Sequence, residues 1–211
     1  MKSKTGIAEI FYYLKRSIFH PFDAFYEIRF RKKGSTMLAA AILALFGILQ
    51  CVSYQYTGFV INENDLASMN SISIFLTWIL GFTLFVVSNW SVTTLLNGKG
   101  NMRHITNVLG YAIVPFLCTL AFQVFVSNFI IIEEAMIVYV ISGIGLAWSL
   151  FMMLAGLCVI HEYGFGKTLV SILLTIAAAA IIMFIGILFF TLIEQMIVFL
   201  VSVAQEFGRR L

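Results

Sequence analysis

The chain has 211 residues, of which 61% are apolar and only 11% charged, against about 25% charged in an average soluble domain. Thirteen Lys and Arg against ten Asp and Glu leave a formal charge of +3, with 3 Cys and 2 Pro. These values exclude a soluble globule, a disordered chain, a disulfide-stapled scaffold and a Pro-rich fibre, and leave a polytopic membrane protein.

Residues 7–19 read IAEIFYYLKRSIF, and Ile7, Ile10, Phe11, Leu14 and Ile18 recur at helical spacing on one face. Thirteen residues are too few to cross a bilayer, so this segment is expected to lie in the headgroup layer with its apolar face down. The basic set Arg29, Arg31, Lys32 and Lys33 follows before the first long apolar run. Residues 1–35 are therefore read as a cytoplasmic amphipathic and basic segment, and the first span as both signal and anchor.

Five charge-free stretches then follow: Thr36–Tyr56, Ile72–Leu96, Val108–Ile132, Met136–Ile160 and Thr168–Ile193. Each exceeds the ~20 residues that a spanning helix needs. No strand alternation is sustained, so the expected fold is an all-α bundle of five transmembrane helices over residues 36–193. Eleven of the thirteen basic residues lie before span one (Lys2, Lys4, Lys15, Arg16, Arg29, Arg31, Lys32, Lys33) or between spans two and three (Lys99, Arg103) and spans four and five (Lys167). Basic loops stay in the cytoplasm, so the amino terminus is expected inside and the carboxyl terminus outside a plasma or inner membrane. Residues 194–211 form an amphipathic tail whose apolar part, Met196–Ala204, is too short for a sixth crossing. It is expected to extend the fifth helix or to lie on the outer surface.

None of the five stretches contains Asp, Glu, Lys, Arg or His. Proton-coupled carriers and intramembrane proteases hold such groups at depth, so no catalytic residue, cofactor or metal site is assigned. Gln50, Asn89, Gln123 and Asn128 lie within spans and need partners in lipid. They read as interhelical glue or, alternatively, as the lining of one polar cavity. His20, His104 and His161 show no paired metal-ligand spacing. Cys51, Cys118 and Cys158 read as packing thiols. Small residues recur at near-four-residue spacing in span one (Ala40, Ala44, Gly47), span four (Gly143, Ala147; Gly145, Ser149) and span five (Ser171, Thr175, Ala179). Such faces suit close packing within the chain or a homo-oligomer. The Gly-rich Asn97–Asn101, NGKGN, matches no phosphate-binding pattern and reads as a turn.

Three segments carry a family resemblance: GYAIVPF (Gly110–Phe116), HEYGFGKTL (His161–Leu169) and HPFDAFYEIRF (His20–Phe30). Together with the five-span layout they resemble the Yip (Ypt-interacting-protein-type) membrane proteins, in a bacterial form. The resemblance implies a non-enzymatic membrane adaptor or scaffold, with the bilayer and a membrane or cytoplasmic protein as partners and no nucleic acid. The matching positions are Gly110, Tyr111, Pro115, His161, Tyr163, Gly164 and Gly166. Pro115 is expected to bend span three and leave a carbonyl for Tyr111 to satisfy, and Gly164 and Gly166 to permit a sharp turn before span five. A small permease or an accessory subunit of a transport complex is the alternative reading.

Overall fold

The computed structural model describes residues 15–31, 34–62 and 64–210. The helix expected over residues 7–19 lies mostly outside them, and residues 15–19 are helical. Among the described residues seven further α-helices follow: α1 (Pro21–Phe30), α2 (Thr36–Tyr56), α3 (Ser71–Leu95), α4 (Met102–Ala112), α5 (Val114–Val126), α6 (Ala135–His161) and α7 (Phe165–Arg210). Five helical stretches are long and apolar enough to cross a membrane, with α4 and α5 together forming the third. Lipid offers no water to free backbone groups, which makes helices the available solution for a chain this apolar.

Helix starts are marked by polar caps at the ends of the apolar runs. The Ser35 hydroxyl accepts from Leu38 N (3.3 Å), the Asn70 side chain from Ser73 N (3.0 Å), and the Asn101 side chain from His104 N (3.0 Å). The third span breaks at Ile113, and Pro115 sits in the first turn of α5. A proline cannot continue the ladder of the preceding helix. The backbone N–H of Phe116 is instead captured at 3.0 Å by the Ser149 hydroxyl of α6. Tyr111 does not serve this break, contrary to the sequence-based expectation. Its hydroxyl accepts from Ser35 N at 3.3 Å and so ties the start of α2 to α4.

The core lies where α1, α2, α4 and α6 meet. Phe25, Phe46, Ile105, Met152 and Ile160 are fully buried there. Phe46 contacts the rings of Trp78, Phe82 and Phe116 at centroid distances of 5.1, 5.7 and 5.6 Å. Glycines set the closest approaches. A Cβ on Gly110 would sit 2.6 Å from the Cα and carbonyl oxygen of Ala39, and one on Gly145 would overlap Thr119 Oγ1. Gly143 faces open space. The small-residue rows of spans four and five thus divide: Gly145, Ser149, Ser171 and Thr175 are buried within the chain, whereas Gly143 and Ala147 are exposed and Ala179 is half-buried.

Helix α7 runs unbroken for 46 residues, about 69 Å, roughly twice the thickness of the hydrocarbon layer. Residues 194–210 therefore continue the fifth helix. Helix α7 packs chiefly on α3 and only slightly on α6.

These approaches give a direct expectation. Gly110→Ala forces two backbones apart and lowers stability by about 1–3 kcal/mol, whereas Gly143→Ala leaves the melting temperature in detergent unchanged or slightly raised. Equal melting temperatures for the two variants would contradict the packing described.

Candidate functional site at the basic end of the bundle

The segments carrying Arg29, Lys99, Glu162 and Lys167 converge at one end of the bundle. Helix α6 ends where Glu162 adopts the left-handed conformation, φ 56° and ψ 39°. No glycine has positive φ among the described residues, and Gly164 and Gly166 face open space. The reversal before α7 is therefore made at Glu162, not at the two glycines to which the sequence pattern assigned it. An αL residue closing a helix C-terminus lets the following N–H groups bond back. Tyr163 N donates accordingly to Cys158 O at 3.0 Å.

This turn presents His161 inward and Glu162 outward. Gly100 N donates to His161 Nδ1 at 3.3 Å, and His161 Nε2 lies 3.2 Å from Asn89 Oδ1. A backbone N–H can only donate, so Nδ1 is the acceptor and Nε2 carries the proton that goes to Asn89. Asn89 Nδ2 then donates to Thr175 Oγ1 (3.0 Å), whose hydroxyl donates to Ser171 O (2.7 Å). The series runs through α6, α3 and α7, starting in the loop before α4. His161, Asn89 and Thr175 are all buried. Unpaired polar groups would be costly at such sites, so the continuous series fixes the mutual register of three helices.

The NGKGN segment is more than the turn expected of it. A Cβ on Gly98 would meet His161 Nδ1 and the Tyr163 hydroxyl, each at 2.7 Å, and one on Gly100 would meet His161 Cε1 at 2.7 Å. Both glycines are therefore required for the loop to lie against the imidazole and phenol. Tyr163 stacks on His161 at 5.4 Å and donates its hydroxyl to Leu96 O at 3.1 Å. Burial pushes the Tyr163 phenol above its ordinary pKa, which keeps it a donor. Lys167 Nζ donates to the same Leu96 carbonyl at 2.9 Å and lies 4.2 Å from the Tyr163 ring centroid.

Glu162 joins the three basic segments. Its Oε1 pairs with Arg29 Nη2 at 2.8 Å and its Oε2 with Lys99 Nζ at 2.5 Å. Arg29 Nη1 also donates to Val159 O at 2.9 Å and to Ile160 O. A guanidinium thus caps the carbonyl end of α6, where a cation is favoured. The Lys99 hydrogen bond holds the Glu162 carboxyl below its ordinary pKa; burial opposes it, and the Lys99 and Arg29 charges add to the lowering.

Sequence reasoning singled out His161, Tyr163 and Asn89 as site or in-span polar candidates, but read Arg29 and Lys99 as topology charges, Thr175 as a small packing residue and Gly98 as part of a turn, and assigned Glu162 no ion pair. The other in-span polar residues go elsewhere. Gln123 accepts from Ser142 (2.6 Å), and Asn128 donates to Tyr56 O (3.0 Å) and Val124 O (2.9 Å). Gln50 is half-buried. Cys158 lies 3.1 Å from Thr168 Oγ1, Cys51 lies 3.3 Å from Ser71 O, and Cys118 is exposed. No group of three or more His, Cys, Asp or Glu is placed to hold a metal among the described residues.

Gly110 and Pro115 shape the third span, and His161 and Tyr163 build this junction. The family model for the Yip1 domain matches residues 15–203. The chain belongs to the Yip1 family. This Yip1 protein is an all-helical, multi-pass membrane protein of a family that is non-catalytic. Comparisons with curated proteins and with solved structures find no match.

Two outcomes follow. Asn89→Ala strands the His161 N–H and lowers stability by about 1–3 kcal/mol. Combined with His161→Ala, the loss falls short of the sum of the single losses in a double-mutant cycle of thermal unfolding. Because folding lowers the Glu162 pKa, its contribution is present above the ordinary carboxylate pKa and is lost as pH falls through the lowered value. The melting-temperature gap between the wild type and Glu162→Gln is thus widest near neutrality and closes as pH drops below about 4. A gap independent of pH would contradict the pairing.

Proposed function

We propose that this Yip1 protein is a membrane adaptor or scaffold, and that its contact surface is the basic end of the bundle. One observation carries the reading. Glu162 and His161 tie α1, the Asn97–Asn101 loop and the α6–α7 turn into one surface. A surface with fixed geometry is what a docking platform requires, since ordering mobile loops on binding weakens affinity. The uneven distribution of Lys and Arg supports an orientation in a cell membrane with this end toward the cytoplasm and the carboxyl end opposite.

Support for a permease is weaker, because Asn89, Gln123 and Asn128 are bonded to three different sets of neighbours. The proposed partner is a membrane or cytoplasmic protein that meets exposed cationic groups, including Lys99, Arg103 and Lys167.

Photo-crosslinking in native membranes tests this. Probes at Arg103 and Phe165, both exposed at the basic end, are expected to give discrete protein adducts, and a probe at Phe59 near the opposite end is not. Glu162→Gln is expected to reduce the basic-end adducts at unchanged protein level. Recovery of the uncrosslinked chain alone from every position would overturn the adaptor reading.

A further inference from the structure

At the end opposite the basic junction, α7 rises past the helix it packs on. Helices α3 and α7 lie antiparallel. Asn89 Nδ2 donates to Thr175 Oγ1, and farther along Thr77 and Gly81 face Met183, Gly186 and Phe190 across a cavity of about 710 Å³. At that pairing Ser71, the first residue of α3 and eighteen residues from Asn89, comes level with Ile193, eighteen residues beyond Thr175. Residues 194–210 therefore project about 25 Å beyond the end of α3. Helix α3 is a charge-free span of 25 residues, about 37 Å long, which already exceeds the hydrocarbon layer. The projecting part thus lies beyond the lipid tails. Its Met196, Ile197, Phe199, Leu200 and Val201 are nevertheless 49–65% exposed. The sequence provides no hinge for folding this part onto the bilayer. Sharp kinks arise mostly at Pro, Gly or a π-bulge, and α7 has no Pro and no Gly between Gly186 and Gly208.

The projecting part carries a seven-residue repeat that begins lower down, beside α3. Met183, Phe190, Ile197 and Ala204 recur at every seventh position, and Gly186, Ile193 and Leu200 each follow three residues after the first three of them. This is the apolar a/d seam of a coiled coil, held over three heptads. The positions opposite the seam are Leu188, Gln195, Ser202 and Arg209. They turn from apolar to polar where α7 leaves α3, as a helix with one covered face and one wet face requires. The lower seam residues Met183, Gly186 and Phe190 also form one wall of the cavity against α3. A Cβ on Gly81 or on Gly186 would meet nothing within 4 Å, so the groove is open beside the seam. A single helix laid along the seam would cover both the groove and the projecting apolar face.

We propose that a second copy of this chain covers the seam, through parallel pairing of the two α7 helices from Met183 to Ala204. A copy inserted the same way in the same membrane carries an identical apolar stripe at the same height beyond the lipid. The stripe is self-complementary in parallel, because each a or d residue faces its own counterpart across a twofold axis along the membrane normal. Gly186 lets the two backbones approach low in the seam. Ile197 at an a position followed by Leu200 at d favours two strands over three or four. The pairing also points both basic ends to the same side of the membrane, so a partner-binding surface there is presented twice.

Oxidative crosslinking of the full chain in native membranes tests the pairing. Leu200→Cys, at a d position, is expected to yield a disulfide-linked species of twice the chain mass. Ser202→Cys, on the opposite face, and the wild type with its free Cys51, Cys118 and Cys158 are expected to remain single. Native mass spectrometry from mild detergent is expected to show the same two-copy species. Leu200→Glu is expected to raise its dissociation constant at least about tenfold, and Ser202→Glu to leave it unchanged. Leu200 and Ser202 are both exposed, so neither substitution disturbs packing within one copy. Equal crosslinking at the two positions would reduce the effect to random collision and overturn the pairing. A Leu200→Cys adduct formed only with a different protein would overturn it, as would a single chain in both experiments. Labelling of Met196–Ala204 by photoactivatable acyl chains, in place of a second copy, would overturn it as well.

Discussion

The hydrogen bond between the imidazole of His161 and the amide of Asn89 is the interaction around which the basic end is built. In a bundle bathed by lipid, helices gain little from hiding apolar surface from one another, because the tails are equally apolar. Close backbone approach and polar contacts between helices must supply the preference for one arrangement. Here Gly110, Gly145 and Gly156 supply the approach, each leaving no room for a Cβ. The His161–Asn89–Thr175 series supplies the register.

That series also accounts for the shapes of the surrounding segments. An imidazole that donates from Nε2 needs a donor at Nδ1, and the Gly100 N–H meets that need only if the loop lies flat on the ring. Flatness excludes side chains at residues 98 and 100. The left-handed residue Glu162 then turns the chain so that consecutive side chains point to opposite environments, His161 into the bundle and Glu162 toward Arg29 and Lys99. A buried neutral network and an exposed ionic one thus share a single turn. The first confers geometry, and the second connects the amino-terminal helix to it.

The five spans were legible in the sequence because a charge-free run of more than about 20 residues is too long and too apolar for anything but a bilayer crossing in a chain this size. Pro115 was legible as a break for a similarly local reason, since its ring forbids helix continuation whatever surrounds it. The partners were not. Arg29 meets carbonyls 130 and 131 residues away, and no local pattern encodes that distance. Tyr111 pairs with the amino end of α2 rather than with the nearby break, because helix crossing brings Ser35 within reach of its hydroxyl. The glycines of HEYGFGK drew attention as turn formers, yet the residue that turns is a glutamate held by two cations. Gly98 and Gly100 had the opposite fate: read as a plain turn, they are contact positions. The one signal that could have found them is a pair of loop glycines flanking Lys99 while a His-Glu pair closes another loop on the same side of the membrane. The four in-span amides illustrate the limit of periodicity, since spacing cannot say which neighbour each amide meets.

Hydrogen exchange of the full chain in lipid nanodiscs tests the central claim most directly. The account predicts slow exchange of the Gly98 and Gly100 amides, comparable to the adjoining helices, and a joint loss of protection in that loop and in α1 when Asn89 is replaced by Ala. A loop that exchanges freely in the wild type, or an α1 segment indifferent to Asn89, would contradict it.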